Sequence, residues 1–274
     1  MNESATRIAA LQMVSGPDVA ANLATAERLL ADAAAGGAQL AVLPEYFCLM
    51  GWKDTDKLAV AEAPGDLATG PIQRCLSQAA RRHSLWIVGG TLPMQTGDPA
   101  RAFNTCTTWA PDGTLAARYD KMHLFSFEQG EERYDEGRVL RPGAAPVALQ
   151  AGALRVGLSV CYDLRFPELY RALMMPPCDL LCVPSAFTVP TGRAHWELLL
   201  RARAVENQCY VIAAAQGGQH ATGRRTWGHS LVVDPWGEVI AELAEGEGVV
   251  LADVDPARLA DVRARLPALK HRRL

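Results

Sequence analysis

Metal-binding patterns are missing from this chain: there is no C-x-x-C pair, no H-E-x-x-H and no cluster of His with Cys, which argues against a zinc or iron–sulfur site. No uninterrupted apolar run reaches the roughly 18 residues needed to cross a bilayer. The opening MNESATRIAA lacks the basic segment, apolar stretch and cleavage site of a secretory signal, so a cytoplasmic location is expected. An excess of one charge is also absent. With 27 Lys and Arg against 30 Asp and Glu, a net charge of −3 and scattered basic residues, nothing points to nucleic acid or an anionic membrane as a partner. Small-molecule chemistry is the better expectation. The seven cysteines, at 48, 75, 106, 161, 178, 182 and 209, form an odd count without a secretory signal, which argues against a disulfide framework. Cys106, Cys182 and Cys209 lie in the apolar runs NTCTTWA, DLLCVPS and QCYVIAAA, where a thiol behaves as a small hydrophobe.

What is present is a repeated sheet-building pattern. The 274 residues are 49% hydrophobic, enough for one large core. Strand-like runs at 7–14, 39–44 and 85–91, separated by Ala- and Leu-rich helical stretches, give the order β-α-β-α-β. The order recurs with strands at 154–161, 179–185 and 209–215. QLAVLPEYF from Gln39 parallels DLLCVPSAF from Asp179, and the turn around Pro111-Asp112-Gly113 parallels Asp234-Pro235-Trp236-Gly237. The pattern reads as an internal duplication. Two such halves, each with helices on one side of its sheet, bury their remaining faces against each other, which predicts an α/β fold of four layers, α-β-β-α, as a single domain over 1–274. Residues 121–153, with Gly130, Gly137, Pro142, Gly143 and Pro146 among many charges, are expected to form a long functional loop. The tail from about 255, ending DVRARLPALKHRRL, is expected either at a subunit interface or in solvent.

Three residues could carry chemistry. Cys161 ends the apolar LRVGLSV and opens the polar CYDLRFPEL, a strand-to-helix elbow that exposes a side chain near backbone N–H groups. Glu45 follows LAVLP, at the strand end where parallel sheets hold their ligands. Lys121 ends LAARYDK. Taken singly, these have plainer readings as a buried core thiol, a rim acid or helix cap, and a snorkelling surface lysine. Together they supply a nucleophile, a base and a cation for a developing oxyanion.

At these same positions LPEYF, YDKMHLF and CYDLRFPELY resemble, in order, the three catalytic motifs of the nitrilase superfamily of carbon–nitrogen hydrolases. The resemblance implies an α-β-β-α sandwich with Glu45 as general base, Lys121 as oxyanion-stabilising acid and Cys161 as nucleophile, and no metal or cofactor. It also implies a second glutamate in the linker, best matched by Glu136 in DEGRVLRPG, with Glu128, Glu131 and Glu132 competing. PSAFTVPTGRAHWELLLRARAVENQCYVIAAAQGGQH and WGHSLVVDPWGEV are similar to the branch of amidases named for deaminated glutathione, and AHWELL and WGHS are shared with the sister ω-amidases. The linker FEQGEERYDEG departs from both branches.

The implied reaction is attack by the Cys161 thiolate on a small amide, with Lys121 and the Tyr162 N–H stabilising the oxyanion and water releasing the thioester. For deaminated glutathione the products are 2-oxoglutarate and cysteinylglycine; the ω-amidase alternative acts on 2-oxoglutaramate or 2-oxosuccinamate. An anionic substrate needs a donor-rich lining, expected from Tyr162 and from Phe187, Thr188, Arg193 and His195 in the loop FTVPTGRAHW, with His195 and Trp196 alternatively a packing pair. Arg165 and Glu168 are expected to brace the elbow as a salt bridge. Two rival readings remain: a cysteine–histidine hydrolase pairing Cys161 with His195 or His229, and a non-catalytic oligomeric interaction module. The resemblance also implies a homodimer or higher homo-oligomer.

Overall fold

Alternating side chains along the strands dictate how the layers stack. In the computed structural model, which describes residues 5–129 and 132–273, Ile8 and Ala10 of β1 (Thr6–Gln12) join a core shared with the second half of the chain. Ala9 and Leu11 instead join a core shared with helices α1 (Val19–Ala35) and α3 (Pro71–His83). Two apolar faces on one strand leave no solvated side, so the sheet is buried between helices and a second sheet. The helices have local causes. Asp18 caps α1 by accepting from the Ala21 N–H at 3.2 Å, and α3 starts on a proline, whose missing N–H is harmless in a first turn.

In the first sheet β1 runs parallel to β2 (Leu40–Val42), and β2 parallel to β3 (Trp86–Val88). Beyond a four-residue helix α2 (Asp56–Ala59), the antiparallel β4 (Leu92–Gln95), β5 (Ala102–Trp109) and β6 (Leu115–Asp120) complete that side. A hairpin of β7 (Ser126–Gln129) and β8 (Glu132–Asp135), a 3-10 turn at Glu136–Arg138 and the short β9 (Leu140–Arg141) lead onward. The second sheet has the order β10 (Val147–Ala151), β11 (Leu154–Leu158), β12 (Leu180–Cys182), β13 (Tyr210–Ala213), β16 (Ser230–Val233) and β17 (Val239–Leu243). Helices α4 (Pro167–Leu173) and α5 (Val189–Asn207) cover it, and a small hairpin, β14 (Gly217–Gln219) with β15 (Arg225–Trp227), stands beside α5.

The duplication holds: β11, β12 and β13 are parallel neighbours followed by an antiparallel β16–β17 hairpin, as β1, β2 and β3 are followed by β5–β6. The exchange at the ends was not foreseen. The last strand, β18 (Gly248–Val254), leaves the second half and pairs antiparallel with β1 along seven residues, filling at β1 the place that β10 fills at β11. Two further expectations are corrected. The 121–153 segment is not one long loop, because it contains the paired strands Ser126–Gln129, Glu132–Asp135, Leu140–Arg141 and Val147–Ala151, with Pro142, Gly143 and Pro146 between the last two; Gly130 lies outside the described residues. Residues 256–265 form α6 (Pro256–Arg265), whose Leu259 and Val262 are buried and whose Arg263 binds Asp179 Oδ1 at 3.2 Å and the Cys178 carbonyl at 2.6 Å, so this part of the tail packs on its own chain rather than standing free in solvent. All seven cysteines are free, and among the described residues no helix is long and apolar enough to cross a membrane.

Gly90, just past β3, shows how tightly the strand ends are fitted. Its φ is +54°, and a Cβ there would lie 2.1 Å from the carbonyl oxygen of Pro44, the residue before Glu45. Gly90→Ala should lower unfolding free energy by about 2–3 kcal/mol, read as a lower urea midpoint; an unchanged midpoint would contradict this fit.

Candidate active site

The ends of four elements meet at one buried cluster. Leu43-Pro44-Glu45 continues β2, with the Leu43 N–H held by the Val88 carbonyl at 2.9 Å and the Tyr46 N–H by Thr91 Oγ1 at 2.8 Å. Tyr46 turns the chain with φ +58°, which leaves Glu45 facing inward. Lys121 follows β6, its N–H donating to the Asn104 carbonyl at 2.9 Å. The Asn104 side chain donates to Glu45 Oε1 at 2.9 Å, so one residue of β5 fixes both. Lys121 Nζ lies 2.8 Å from Glu45 Oε1 and 2.8 Å from Glu136 Oε2. Glu136, on the 3-10 turn, is tied to the Phe125 backbone in both directions, at 2.9 and 2.7 Å, and accepts from the Tyr46 hydroxyl at 2.5 Å.

Cys161 opens the turn after β11 with φ +50°, a left-handed conformation unusual for a residue with a side chain. Asp163 holds it there: its carboxylate accepts from the Val160 N–H at 2.9 Å, the Tyr119 hydroxyl at 2.7 Å and the His123 N–H at 3.0 Å. Motif YDKMHLF thus braces motif CYDL through Tyr119 and His123 as well as contributing Lys121. The Cys161 thiol and the Glu45 carboxylate are close enough in this buried cluster for each to perturb the other's ionisation.

Charge in this dry cluster is strongly perturbed. Burial pushes the Glu45 carboxyl above its usual range, partly offset by Lys121. Burial acts the same way on Glu136, but the Lys121 and Lys57 cations and the Lys121 and Tyr46 hydrogen bonds hold it below the usual value. For Lys121, burial works against the charge, yet the two carboxylates raise it well above the ordinary lysine value, making it a permanent cation. Burial and the Glu45 anion push the Cys161 thiol well up, with Lys121 only partly opposing. The resting site is therefore a neutral thiol beside a carboxylate that is a stronger base than usual. Alkylation of Cys161 by iodoacetamide should rise with pH along a limb centred above the ordinary 4.5 of a glutamate, because below that limb Glu45 carries the proton it must accept. A limb at or below 4.5 would remove Glu45 from this role.

A cavity opens onto Cys161, lined by Phe125, Tyr162, Arg165, Ala186, Phe187, Thr188 and Thr191. Of the expected lining, Tyr162, Phe187 and Thr188 are present and Arg193 and His195 are not. The stretch read as a loop is already helix from Val189, with Pro190 in its first turn, so side chains point about 100° apart. Thr191 then faces the cavity, while Arg193 lies over Trp227 and His195 is exposed on the outer groove along α5. His195 and Trp196 do not form the expected pair: Trp196 is buried against Phe187 and donates to the His229 carbonyl at 2.8 Å. Arg165 is the correction with most consequence. Among the described residues no salt bridge joins it to Glu168; it lines the cavity, over the rings of Tyr162 and Phe187, with Nη1 3.3 Å from His195 Nδ1. His229 pairs with Glu242 at 2.5 Å, and neither His195 nor His229 lines this cavity, which removes the geometric basis of a cysteine–histidine pair. Glu128 is exposed on β7, whereas Glu131 and the Glu132 side chain lie outside the described residues.

Asn104, Tyr46 and Asp163 were not singled out from sequence. Asn104 did leave a signal, as an amide beginning the otherwise β-prone NTCTTW; Tyr46 and Asp163 were hidden inside motifs whose neighbours drew the attention.

A four-layer sandwich with a thiol, two carboxylates and a lysine meeting at its strand ends is the architecture of an enzyme that hydrolyses carbon–nitrogen bonds. Residues 7–264 match the carbon-nitrogen hydrolase family, and the chain belongs to it. It is 42% identical over 268 residues to a deaminated glutathione amidase of Synechocystis, covering 96% of this chain and 97% of that one. It is 37% identical to the human omega-amidase NIT2, covering 97% and 95%. Among solved structures, Nit3 of Saccharomyces cerevisiae, a member of branch 10 of the nitrilase superfamily, superposes with a TM-score of 0.89 at 30% identity, covering 100% of this chain and 98% of that one. The protein is thus a hydrolase of linear amides, acting on carbon–nitrogen bonds other than peptide bonds.

Proposed function

We propose that this enzyme hydrolyses deaminated glutathione to 2-oxoglutarate and cysteinylglycine through a thioester on Cys161. The observation that carries the reading is the cavity itself: it opens onto the Cys161 thiol, beside the buried Glu45–Lys121 pair, and Arg165, Thr188 and Thr191 among its lining are donors suited to a substrate carboxylate. Glu45 takes the Cys161 proton, sulfur adds to the amide carbon, and Lys121 with the Tyr162 N–H stabilises the oxyanion. The C–N bond breaks as Glu45 returns the proton to the leaving amine. Glu45 then deprotonates a water that attacks the thioester, and the thiol and the acid are released. Glu136 keeps Lys121 charged and fixed. Relatives named as omega-amidases are nearly as similar, so 2-oxoglutaramate is the second substrate to compare.

The test is steady-state hydrolysis of both amides by wild type and Arg165→Met. Deaminated glutathione should be preferred, and the substitution should raise its KM by roughly 10–100-fold, the loss of one charge-assisted contact of about 1.5–3 kcal/mol, while a neutral amide is little affected. A preference above about tenfold for 2-oxoglutaramate would make the enzyme an ω-amidase instead, and an unchanged KM would dismiss Arg165 as the anchor. We also propose a homodimer or larger homo-oligomer in the cytoplasm; the exposed Leu198 and Val205 of α5, and the exposed Trp236 on the turn whose Gly237 meets Val205 and Arg201 of that helix, support a self-association face. Light scattering during size-exclusion chromatography would show a monomer if this is wrong.

A further inference from the structure

The cluster around Cys161 holds two carboxylates, Glu45 and Glu136, but Lys121 is one cation. The missing charge stands one layer behind. Lys57, on α2, is only 7% exposed, yet its nearest ion-pair partner among the described residues, Asp54, is 3.6 Å away, beyond hydrogen-bonding distance. A buried ammonium held this loosely is expensive unless other anions face it. Its Nζ lies 4.4 Å from the centre of the Tyr46 ring, on the residue whose hydroxyl reaches Glu136 at 2.5 Å. Tyr46 in turn packs with Ala186 of the cavity wall.

We propose that Lys57 is a positioning residue of this enzyme: its buried ammonium, set against Tyr46, balances the second carboxylate of the cluster and so keeps Glu136 ionised and Lys121 shared between Glu136 and Glu45. Lys57 contacts the Tyr46 ring after β2 and stands 3.6 Å from Asp54 in the turn preceding its own helix, and the charges of Glu136 on the 3-10 turn, Glu45 after β2 and Arg224 on the β14–β15 turn also act on it. Burial draws the Lys57 ammonium below the ordinary lysine value, and of the anions that oppose this Glu136 does so most, ahead of the exposed Asp54, because a field is stronger where water is excluded. Reciprocally, Lys57 is, after Lys121, the cation that most lowers the Glu136 carboxyl. Glu45, which titrates beside Cys161, is faced by Lys121, Glu136, Asn104 and Cys161, with Lys57 farther off.

The inference rests on the Glu45–Lys121–Cys161 reading above, and its test separates the two. In Lys57→Met, kcat should fall roughly 10–100-fold with KM within about twofold, the effect of misplacing a group that does not touch substrate. Loss of a cation favours protonated carboxylates, so the acid limb of kcat and of Cys161 alkylation should move up by about one pH unit. In a Glu136→Gln background the same replacement should move the limb by less than about 0.3 units, because the charge it balanced is gone; this doubly neutral variant also keeps the test open if Lys57→Met folds poorly. An unmoved acid limb in Lys57→Met, or an equal shift in both backgrounds, would overturn the proposal and leave Lys57 as packing for Tyr46. If instead Cys161→Ala remained active, the triad itself would fall, whatever Lys57 did.

Discussion

Replacing Cys161 with alanine is expected to reduce amide hydrolysis by at least about 10⁴-fold, the scale on which removing a covalent nucleophile acts. The neighbouring groups cannot substitute for it. Glu45 is placed to accept a proton from sulfur and Lys121 is locked between two carboxylates, so neither offers an electron pair to the substrate carbonyl. Stability should change little, within about 1 kcal/mol, because the strained φ of +50° is set by Asp163 and the backbone, which alanine tolerates as cysteine does. Intact-mass analysis of rapidly quenched wild type should show the acyl adduct, and of the variant none. Residual turnover above about 1% of wild type would mean that the thioester is not on the reaction path.

Lys121→Met should be nearly as damaging to activity, at least about 10³-fold, since it removes the cation facing the oxyanion. Unlike the cysteine variant it should also unfold easily. It leaves Glu45 and Glu136 buried and facing each other, and breaking a buried ion pair from one side costs about 3–5 kcal/mol. The sign of the pH dependence follows. Without the lysine both carboxyls are raised above their unfolded values, so the folded state binds the extra protons; the variant gains stability as pH falls and loses it as pH rises through those raised values. Adding Glu136→Gln should restore about 2 kcal/mol or more of stability but none of the activity. Urea midpoints across pH, set beside turnover, separate the two effects; a single variant as stable as wild type at neutral pH would show that water reaches the pair and that the site is not dry.

How much of this was readable beforehand varies by residue. Glu45 and Cys161 were legible because each ends an apolar strand, and strand ends in a parallel sheet converge on one edge, whereas Lys121, after the antiparallel and half-exposed β6, was legible only through the motif YDKMHLF. The four layers were legible because Ile8 and Ala9, neighbours in sequence, are both apolar although they face opposite sides. Glu136 was the preferred acid among four candidates, and its contacts with Lys121, the Tyr46 hydroxyl and the Phe125 backbone are what bring it into the cluster. Arg193, His195 and Arg165 were misplaced for one shared reason. Which way a polar side chain points depends on where helix or turn begins to within one residue, and α5 starts at Val189, earlier than the loop-like FTVPTG suggested.

The amino-acid sequence by itself determined the sandwich, its duplication and the chemical inventory, since these depend on local periodicity and on residue types at strand ends. Tertiary structure alone decided the exchange of β18 into the first sheet, the choice of Arg165 as the cation of the cavity and the placing of Lys57 behind Tyr46. Each of these depends on contacts between residues far apart in the chain, and at that range burial and electric field, which no local pattern encodes, fix what a side chain does.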